Sequence, residues 1–253
     1  MDGDHQGPEL RRDAIRARLD RGAPLSLVDA ARDFGVSVDT IRRDLKALEA
    51  EGRARYIRGG ALPVARPVRP TLERLATTDA TAERLATAAL PLIEDGMVIA
   101  LDGGTSVLAL AQRLPPLPGA LVVTPSPAVA LACLAAGIPT RIMGGRLSEA
   151  GAIAVGSDTV EAFANIAVDI VFLGACGLDA DFGLSADDAD EAHTKRAMIA
   201  ASHRAVVLTG SAKIGRRARH RVVGCNALRM LVTDADARTT ASLAQTGMEI
   251  LNA

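Results

Sequence analysis

Aromatic residues are nearly absent from this chain of 253 residues: they make up 2% of it and include no tryptophan and one tyrosine. Proteins that read single-stranded nucleic acid stack bases on exposed aromatic rings, so this mode of recognition is nearly excluded. Hydrophobic residues still make up 49% of the chain and charged residues 23%. The sequence therefore predicts a globular protein of one or two domains with an aliphatic core.

Cysteine is scarce as well. Cys133, Cys176 and Cys225 lie far apart and show neither a CxxC pair nor Cys/His metal spacing. We therefore expect no disulfide framework, no metal site and no cofactor. Residues 1–13 are polar and charged where a secretory signal needs an apolar run, so we expect a cytoplasmic protein.

The two charge signs nearly balance, because 29 Lys and Arg oppose 30 Asp and Glu and leave a net charge of -1. No overall field draws such a chain onto DNA or an anionic membrane, so any nucleic-acid site must be local. Residues 114–140 carry no charge and are long enough to span a bilayer, but six prolines interrupt them. We predict a loop, a strand at 121–124, a turn and a helix there, and no membrane span.

Three short helices are predicted at the front of the chain. The first covers residues 9–19, Ser26 caps the second, which ends at Gly35, and Ser37 caps the third. Apolar residues of the third helix recur at spacings of three and four, and its other face is polar and basic. This order is typical of a helix-turn-helix, whose second helix enters the DNA major groove.

The residues of the third helix have the chemistry for that role. Arginine and lysine bind guanine or phosphate, and threonine reaches phosphates or base edges. Residues 53–58, before Gly59 and Gly60, predict a short hairpin, a wing whose arginines reach the backbone or the minor groove. On charge pattern alone, a solvated helical hairpin with ordinary surface arginines explains these residues equally well.

The rest of the chain predicts an α/β domain. Residues 61–70 are rich in proline and predict a linker between a domain at 1–60 and one at 71–253. Apolar strands then alternate with helices, which predicts a mostly parallel sheet covered on both faces. The predicted strands are 98–101, 121–124, 141–143, 169–173, 205–209 and 229–233.

Small and polar residues follow several of these strands, at the sheet edge where such folds bind ligands. The clearest runs are Asp102-Gly103-Gly104-Thr105-Ser106, Thr124-Pro125-Ser126 and Gly210-Ser211-Ala212-Lys213. Exposed backbone N–H groups, hydroxyls and a cation suit a phosphate or carboxylate. No dinucleotide or Walker motif is present. We expect an anionic small molecule, most simply a phosphorylated sugar.

Several of these stretches resemble the DeoR family of bacterial transcription regulators. The matching motifs include Phe34-Gly35-Val36-Ser37, Thr40-Ile41-Arg42-Arg43-Asp44-Leu45, Arg58-Gly59-Gly60-Ala61, Leu101-Asp102-Gly103-Gly104-Thr105-Ser106, Lys195-Arg196-Ala197-Met198 and Ser211-Ala212-Lys213. The resemblance spans residues 9–235. It implies a small winged helix-turn-helix domain followed by a sensor domain similar in fold to ribose-5-phosphate isomerase and CoA transferases.

The resemblance also implies roles for single residues. The DNA-facing positions are Ser37, Thr40, Arg42, Arg43, Lys46 and, in the wing, Arg58. The candidate effector site comprises Asp102, which orders the first loop, and Gly103, Gly104, Thr105, Ser106, Thr124, Ser126 and Lys213. The chain departs from the family pattern at Pro125, Cys176 and Gly210.

Other polar residues have simpler explanations. We expect Cys176 to be a small packing residue and Lys195 to lie on a helix surface. We expect the acidic stretch 187–191 to form a solvated face and the basic cluster 216–221 to form an exposed loop.

The leading hypothesis is a DNA-binding regulator, a repressor of carbohydrate-metabolism genes that a phosphorylated sugar releases from operator DNA. Two-fold operators imply a homo-oligomer, a dimer or tetramer. The alternative is a sugar-phosphate isomerase or CoA-transferase-like enzyme with a helical extension. An activator or a metabolite-binding adaptor is a third, weaker hypothesis.

Overall fold

The computed structural model of this protein describes residues 7–20, 24–51, 53–63 and 79–253, which form two compact units. Residues 64–70 of the predicted linker lie outside the described residues. None of the helices in the described ranges combines the length and the apolar character needed to cross a membrane.

The N-terminal unit contains three helices and three short strands. In chain order these are α1 (Pro8–Asp20), β1 (Leu25–Ser26), α2 (Leu27–Phe34), α3 (Val38–Ala50), β2 (Ala54–Ile57) and β3 (Gly60–Pro63). The strands pair antiparallel in the order β1, β3, β2. The predicted helices and hairpin are present, but β3 takes up the first three residues of the predicted linker.

Local signals set the ends of α2 and α3. The Ser26 hydroxyl accepts a hydrogen bond from the Asp29 N–H at 3.4 Å and caps α2. Gly35 ends α2 with φ of 62°, a left-handed conformation that glycine adopts without strain. The Ser37 hydroxyl accepts from the Thr40 N–H at 3.1 Å and starts α3. The turn between the two helices is thus encoded locally.

The three helices share one small aliphatic core, in which Ile15, Ile41 and Leu45 have no exposed surface. An ion pair joins α1 to α3: Arg11 Nε lies 2.6 Å from Asp44 Oδ2, and each side chain is 9% exposed. Glu49 in α3 accepts a hydrogen bond from the Tyr56 N–H at 2.8 Å, which ties the hairpin to the helix.

The larger unit is a mixed α/β fold. Its helices are α4 (Ala80–Ala89), α5 (Thr105–Ala111), α6 (Pro127–Ala135), α7 (Ser157–Ala164), α8 (Ala189–Ala200) and α9 (Ala237–Ala244). Its strands are β4 (Val98–Leu101), β5 (Leu121–Thr124), β6 (Thr140–Ile142), β7 (Arg146–Leu147), β8 (Ala154–Val155), β9 (Val168–Gly174), β10 (Gly177–Asp179), β11 (Gly183–Ala186), β12 (Ser202–Leu208), β13 (His220–Val223), β14 (Met230–Thr233) and β15 (Glu249–Asn252).

Seven of these strands form a parallel sheet in the order β15, β14, β12, β9, β4, β5, β6. Side chains alternate between its faces: Ile99 and Leu101 enter one aliphatic core, whereas Ala100 enters the other. Helices cover both faces, as expected for a parallel sheet. From β4 the chain first builds outward through β5 and β6, then returns to add β9 on the other side of β4.

Every predicted strand is present within three residues of its predicted bounds. The sequence did not predict β15 or the short strands β1, β7, β8, β10, β11 and β13. β15 is an edge strand with polar ends at Glu249 and Asn252, and only Ile250 and Leu251 between them carry an apolar signal. The short strands have two to four residues each and pair in small antiparallel sheets. Such strands are too short for an alternation of apolar and polar residues to emerge.

We expect Asp44→Ala to lower the free energy of unfolding of the N-terminal unit by about 3 kcal/mol, because it leaves the Arg11 guanidinium buried without a counter-charge. Tyr56 is the one tyrosine of the chain and lies in β2. With no tryptophan present, tyrosine fluorescence during urea denaturation follows this unit alone.

The matched control is Asp33→Ala, which removes an ion pair with Arg18 whose side chains are 41% and 37% exposed. It should cost about 0.5 kcal/mol or less. Wild-type stability in Asp44→Ala would show that the buried pair does not hold α1 against α3.

Candidate functional site

The face of α3 that turns away from the core is charged. Asp39, Arg42, Arg43 and Lys46 are all exposed and recur at helical spacing. Arg42 forms an ion pair with Asp39. Arg43 and Lys46 have no ion-pair partner among the described residues, so their charges are available to an anionic partner.

The other predicted DNA-facing residues lie at the two ends of this region. Ser37 caps α3, and its hydroxyl lies 2.9 Å from the Thr40 hydroxyl, so the two side chains are engaged with each other. Arg58 is exposed in the turn between β2 and β3. The structure thus places five of the six predicted residues on α3 or its cap, and the sixth in the wing.

A pocket lies at the carboxyl ends of β4 and β9, where the strand order of the large sheet reverses. This is the edge at which parallel α/β sheets bind ligands. The pocket is lined by Asp102, Gly103, Gly104, Thr105, Ser106, Gly151, Ile153, Gly174, Ala175, Cys176, Glu191, Lys195, Leu208 and Lys213. It therefore brings together six of the eight predicted effector residues.

Two glycines shape the loop after β4. Gly104 has φ of 94° and occupies the N-cap of α5, a conformation that L side chains rarely adopt. A Cβ at Gly103 would overlap the Ile153 side chain. Any other residue would therefore collide with Ile153 at position 103 or be strained at position 104, so the observed loop conformation requires glycine at both.

The remaining two predicted residues do not line the pocket. Thr124 and Ser126 are buried, and their hydroxyls serve the local backbone. Thr124 accepts from the Ser126 N–H at 3.1 Å, and Ser126 accepts from the Val129 N–H at 3.4 Å and caps α6. Their role as direct effector contacts stays a prediction.

A buried ion pair forms the floor of the pocket. Asp102 has no exposed surface, and its Oδ2 binds the Lys195 ammonium and accepts from the Gly174 N–H at 2.9 Å. Lys195 also donates to the Gly174 carbonyl at 3.1 Å. Asp102 therefore bridges β4 to β9 and α8 through these contacts, and its Oδ1 has no partner among the described residues.

The pKa of Lys195 reflects this environment. Burial alone would lower it, but the charge of Asp102 and the hydrogen bond to it reverse that effect, so the pKa lies above its ordinary value. The ammonium is therefore charged at neutral pH. The expectation that Lys195 lies on a helix surface is wrong, since the residue is 5% exposed.

Glu191, one turn before Lys195 on α8, is buried beside the same pocket. It accepts a hydrogen bond from the Ser148 hydroxyl at 2.7 Å. Burial raises its pKa, although Ser148 and Lys195 oppose this. The expectation of a solvated acidic face is therefore wrong for Glu191, and Asp188 instead caps α8.

The spacing of residues along α8 could have predicted that Glu191 and Lys195 are buried. Glu191, Lys195 and Met198 follow one another at four and three residues and lie on the same buried face. This buried face was not predicted because Glu191 and Lys195 are charged, and a charged residue in a helix usually points to solvent.

Cys176 also lines the pocket and is partly buried. Burial raises the pKa of its thiol, and the charges of Lys195 and Lys213 only partly oppose this. The thiol is thus protonated at neutral pH and poorly suited to act as a nucleophile.

Lysine is rare in this arginine-rich chain. Of its three lysines, Lys46 lies on the exposed face of α3, and Lys195 and Lys213 line the pocket. Two of the three lysines of the chain therefore line the same pocket.

Comparison with protein families matches both units. The model of the DeoR-like helix-turn-helix domain matches residues 11–65, and that of the DeoR C terminal sensor domain matches residues 79–235. A protein named for transcriptional repression of the aga operon in Escherichia coli O157:H7 is 30% identical over 97% of this chain and 94% of its own length. The transcriptional regulator GlpR of Haloferax volcanii is 28% identical over 87% of this chain and 88% of its own.

Similarity to solved structures is weaker. Ribose 5-phosphate isomerase A of Methanocaldococcus jannaschii is 19% identical, with a TM-score of 0.39 over 52% of each chain. The sorbitol operon regulator SorC of Klebsiella pneumoniae is 12% identical, with a TM-score of 0.42 over 87% of this chain and 94% of its own. These similarities are too low to add to the family matches.

We expect Glu191→Gln to raise the free energy of unfolding of the larger unit at pH 7 by on the order of 1 kcal/mol, because it removes a buried charge and keeps an oxygen for Ser148. A raised pKa means that the folded chain binds this proton more tightly than the unfolded chain does. In the wild type, the contribution of Glu191 to stability is therefore fully present below pH 4.5, the ordinary pKa, and is lost as the pH rises through the folded-state pKa. Glutamine does not titrate, so the advantage of Glu191→Gln over the wild type grows as the pH rises.

Unfolding followed by far-UV circular dichroism at pH 4 and pH 7 tests this. The advantage of Glu191→Gln should be present at pH 7 and vanish at pH 4, whereas Glu161→Gln, at an exposed position of α7, should match the wild type at both. An equal gain at both pH values would mean that the charge of Glu191 is not its cause.

Proposed function

This chain belongs to the DeoR family of transcriptional regulators, and we propose that it is a repressor whose N-terminal unit binds operator DNA and whose larger unit binds a phosphorylated sugar. The observation that carries the proposal is that one chain has both the exposed basic face of α3 and the polar pocket between the carboxyl ends of β4 and β9. Because the family consists of regulators, the competing hypothesis of an isomerase or transferase is set aside.

The DNA-binding part of the proposal rests on α3. We infer that α3 enters the major groove, with Arg43 and Lys46 facing bases or phosphates and Arg58 of the wing facing the backbone. Ser37 and Thr40 stand at the N-terminal end of α3, where hydroxyls and backbone N–H groups suit a phosphate. Arg42 would exchange its ion pair with Asp39 for the DNA.

The effector part rests on the loop 103–106 and Lys213. We infer that exposed N–H groups, the hydroxyls of Thr105 and Ser106 and the Lys213 ammonium hold the phosphate. The pocket is open on one side and has a volume of about 50 Å³, well below the roughly 300 Å³ of a typical ligand site. We infer that its loops move when a sugar phosphate binds, and such a movement can be linked to a change in operator affinity.

We further propose that the repressor is a cytoplasmic homo-oligomer. One helix-turn-helix contacts too few base pairs for tight binding, and two copies related by a two-fold axis read two half-sites. Repressors related to this chain are named for regulating the aga operon and the glycerol-3-phosphate regulon, which supports carbohydrate or polyol phosphates as its effector class. Linkage then requires operator DNA to weaken effector binding by the same factor.

We expect Arg43→Ala to weaken operator binding by about 10- to 100-fold, the effect of losing one base or phosphate contact from arginine. The measurement is fluorescence anisotropy with DNA from upstream of the gene, at several salt concentrations. The control, Arg229→Ala, removes the same charge from an exposed pair with Glu249 in the larger unit. Equal affinities for wild type and Arg43→Ala would refute the assignment of α3 as the recognition helix.

We expect Lys213→Ala to bind the operator like the wild type and to need about tenfold more sugar phosphate for release, because one charge-assisted hydrogen bond is lost. The readout is the concentration at which each compound of a sugar-phosphate panel halves the anisotropy change. Release of Lys213→Ala at the wild-type concentration would place the phosphate elsewhere.

A further inference from the structure

The pocket has two sides that differ in burial. Its exposed side consists of Gly104, Thr105, Ser106 and Lys213, which are all partly accessible. Its buried side consists of Asp102, Glu191 and Lys195, each less than 7% exposed. A ligand anchored at the exposed side therefore presents its other end to the buried side.

The buried side carries more negative than positive charge. Two carboxylates, Asp102 and Glu191, face one ammonium, Lys195. That ammonium already binds the Asp102 carboxylate and the Gly174 carbonyl, so two of its three protons are engaged. Ser148 donates to Glu191, and no cation forms an ion pair with Glu191 among the described residues.

One acceptor on this side has no hydrogen bond. Asp102 Oδ1 is buried and has no partner within the part of the chain that the structure describes. Since a buried carboxylate oxygen without a donor costs free energy, a donor from a ligand would be favoured at this point. A neutral hydroxyl supplies such a donor, whereas a phosphate dianion does not.

Building on the proposed function, we propose that the buried side selects the neutral, hydroxyl-bearing end of a sugar monophosphate and rejects sugar bisphosphates, with Glu191 as the residue that determines this specificity. The ligand hydroxyl would donate to Asp102 Oδ1. A second phosphate would instead meet the Glu191 carboxylate, which has no ion pair among the described residues, in a buried site where like charges repel strongly.

The electrostatics of Glu191 support this assignment. Burial raises its pKa, which means that its surroundings already disfavour one negative charge. A further dianion at the same place adds to that penalty. Changing Glu191 to glutamine removes the repulsion but keeps the shape and one oxygen for Ser148.

The test is isothermal titration of the full chain with fructose 6-phosphate, fructose 1,6-bisphosphate, glucose 6-phosphate and glucose 1,6-bisphosphate. The wild type should bind at least one monophosphate about tenfold more tightly than its matched bisphosphate, which corresponds to about 1.4 kcal/mol. Glu191→Gln should reduce this ratio at least threefold by improving bisphosphate binding. The exposed Glu161→Gln should leave the ratio unchanged.

The outcomes separate this inference from the proposed function. A bisphosphate that binds as tightly as its monophosphate, or a ratio unchanged in Glu191→Gln, overturns the inference while the repressor remains. If no monophosphate binds but a bisphosphate does, the inference is overturned and the phosphorylated effector stands. If none of the four binds and an unphosphorylated sugar releases the operator, both the inference and the proposed effector class are overturned.

Discussion

The ion pair between Asp102 and Lys195 is the interaction around which the larger unit is arranged. It joins the end of β4 to α8, and through Gly174 it also holds the end of β9. Such a pair repays the cost of burying two charges only when its geometry is good and the remaining donors are used. The backbone of β9 supplies both an N–H and a carbonyl for this purpose.

This arrangement has consequences for the pocket. Charges that hold the sheet together also line the space between the loops, so the residues that stabilise the fold and those that meet a ligand are partly the same. The glycines at 103 and 104 bring the backbone close to this space without side chains in between. A ligand that moves these loops would act directly on elements that the ion pair connects, which suits a sensor domain.

The N-terminal unit is organised in a different way. Its helix ends are set by nearby residues, Ser26, Gly35 and Ser37. Its long-range constraint is the Arg11–Asp44 pair, which anchors the buried face of α3 and leaves the opposite face to basic side chains. Asp44 lies between the exposed Arg43 and the buried Leu45, so adjacent residues of one helix serve the DNA face and the core.

The amino-acid sequence by itself determined the three front helices, the α/β alternation and the glycine-rich loops, because caps, turns and hydrophobic periods are local properties of the chain. The exposed positions of Arg43 and Lys46 followed from the same periodicity. The burial of Lys195 and Glu191 was decided only by the tertiary structure. Their partners, Asp102 and Ser148, lie 93 and 43 residues away. No local sequence pattern shows that a charged side chain has a partner so distant in the chain.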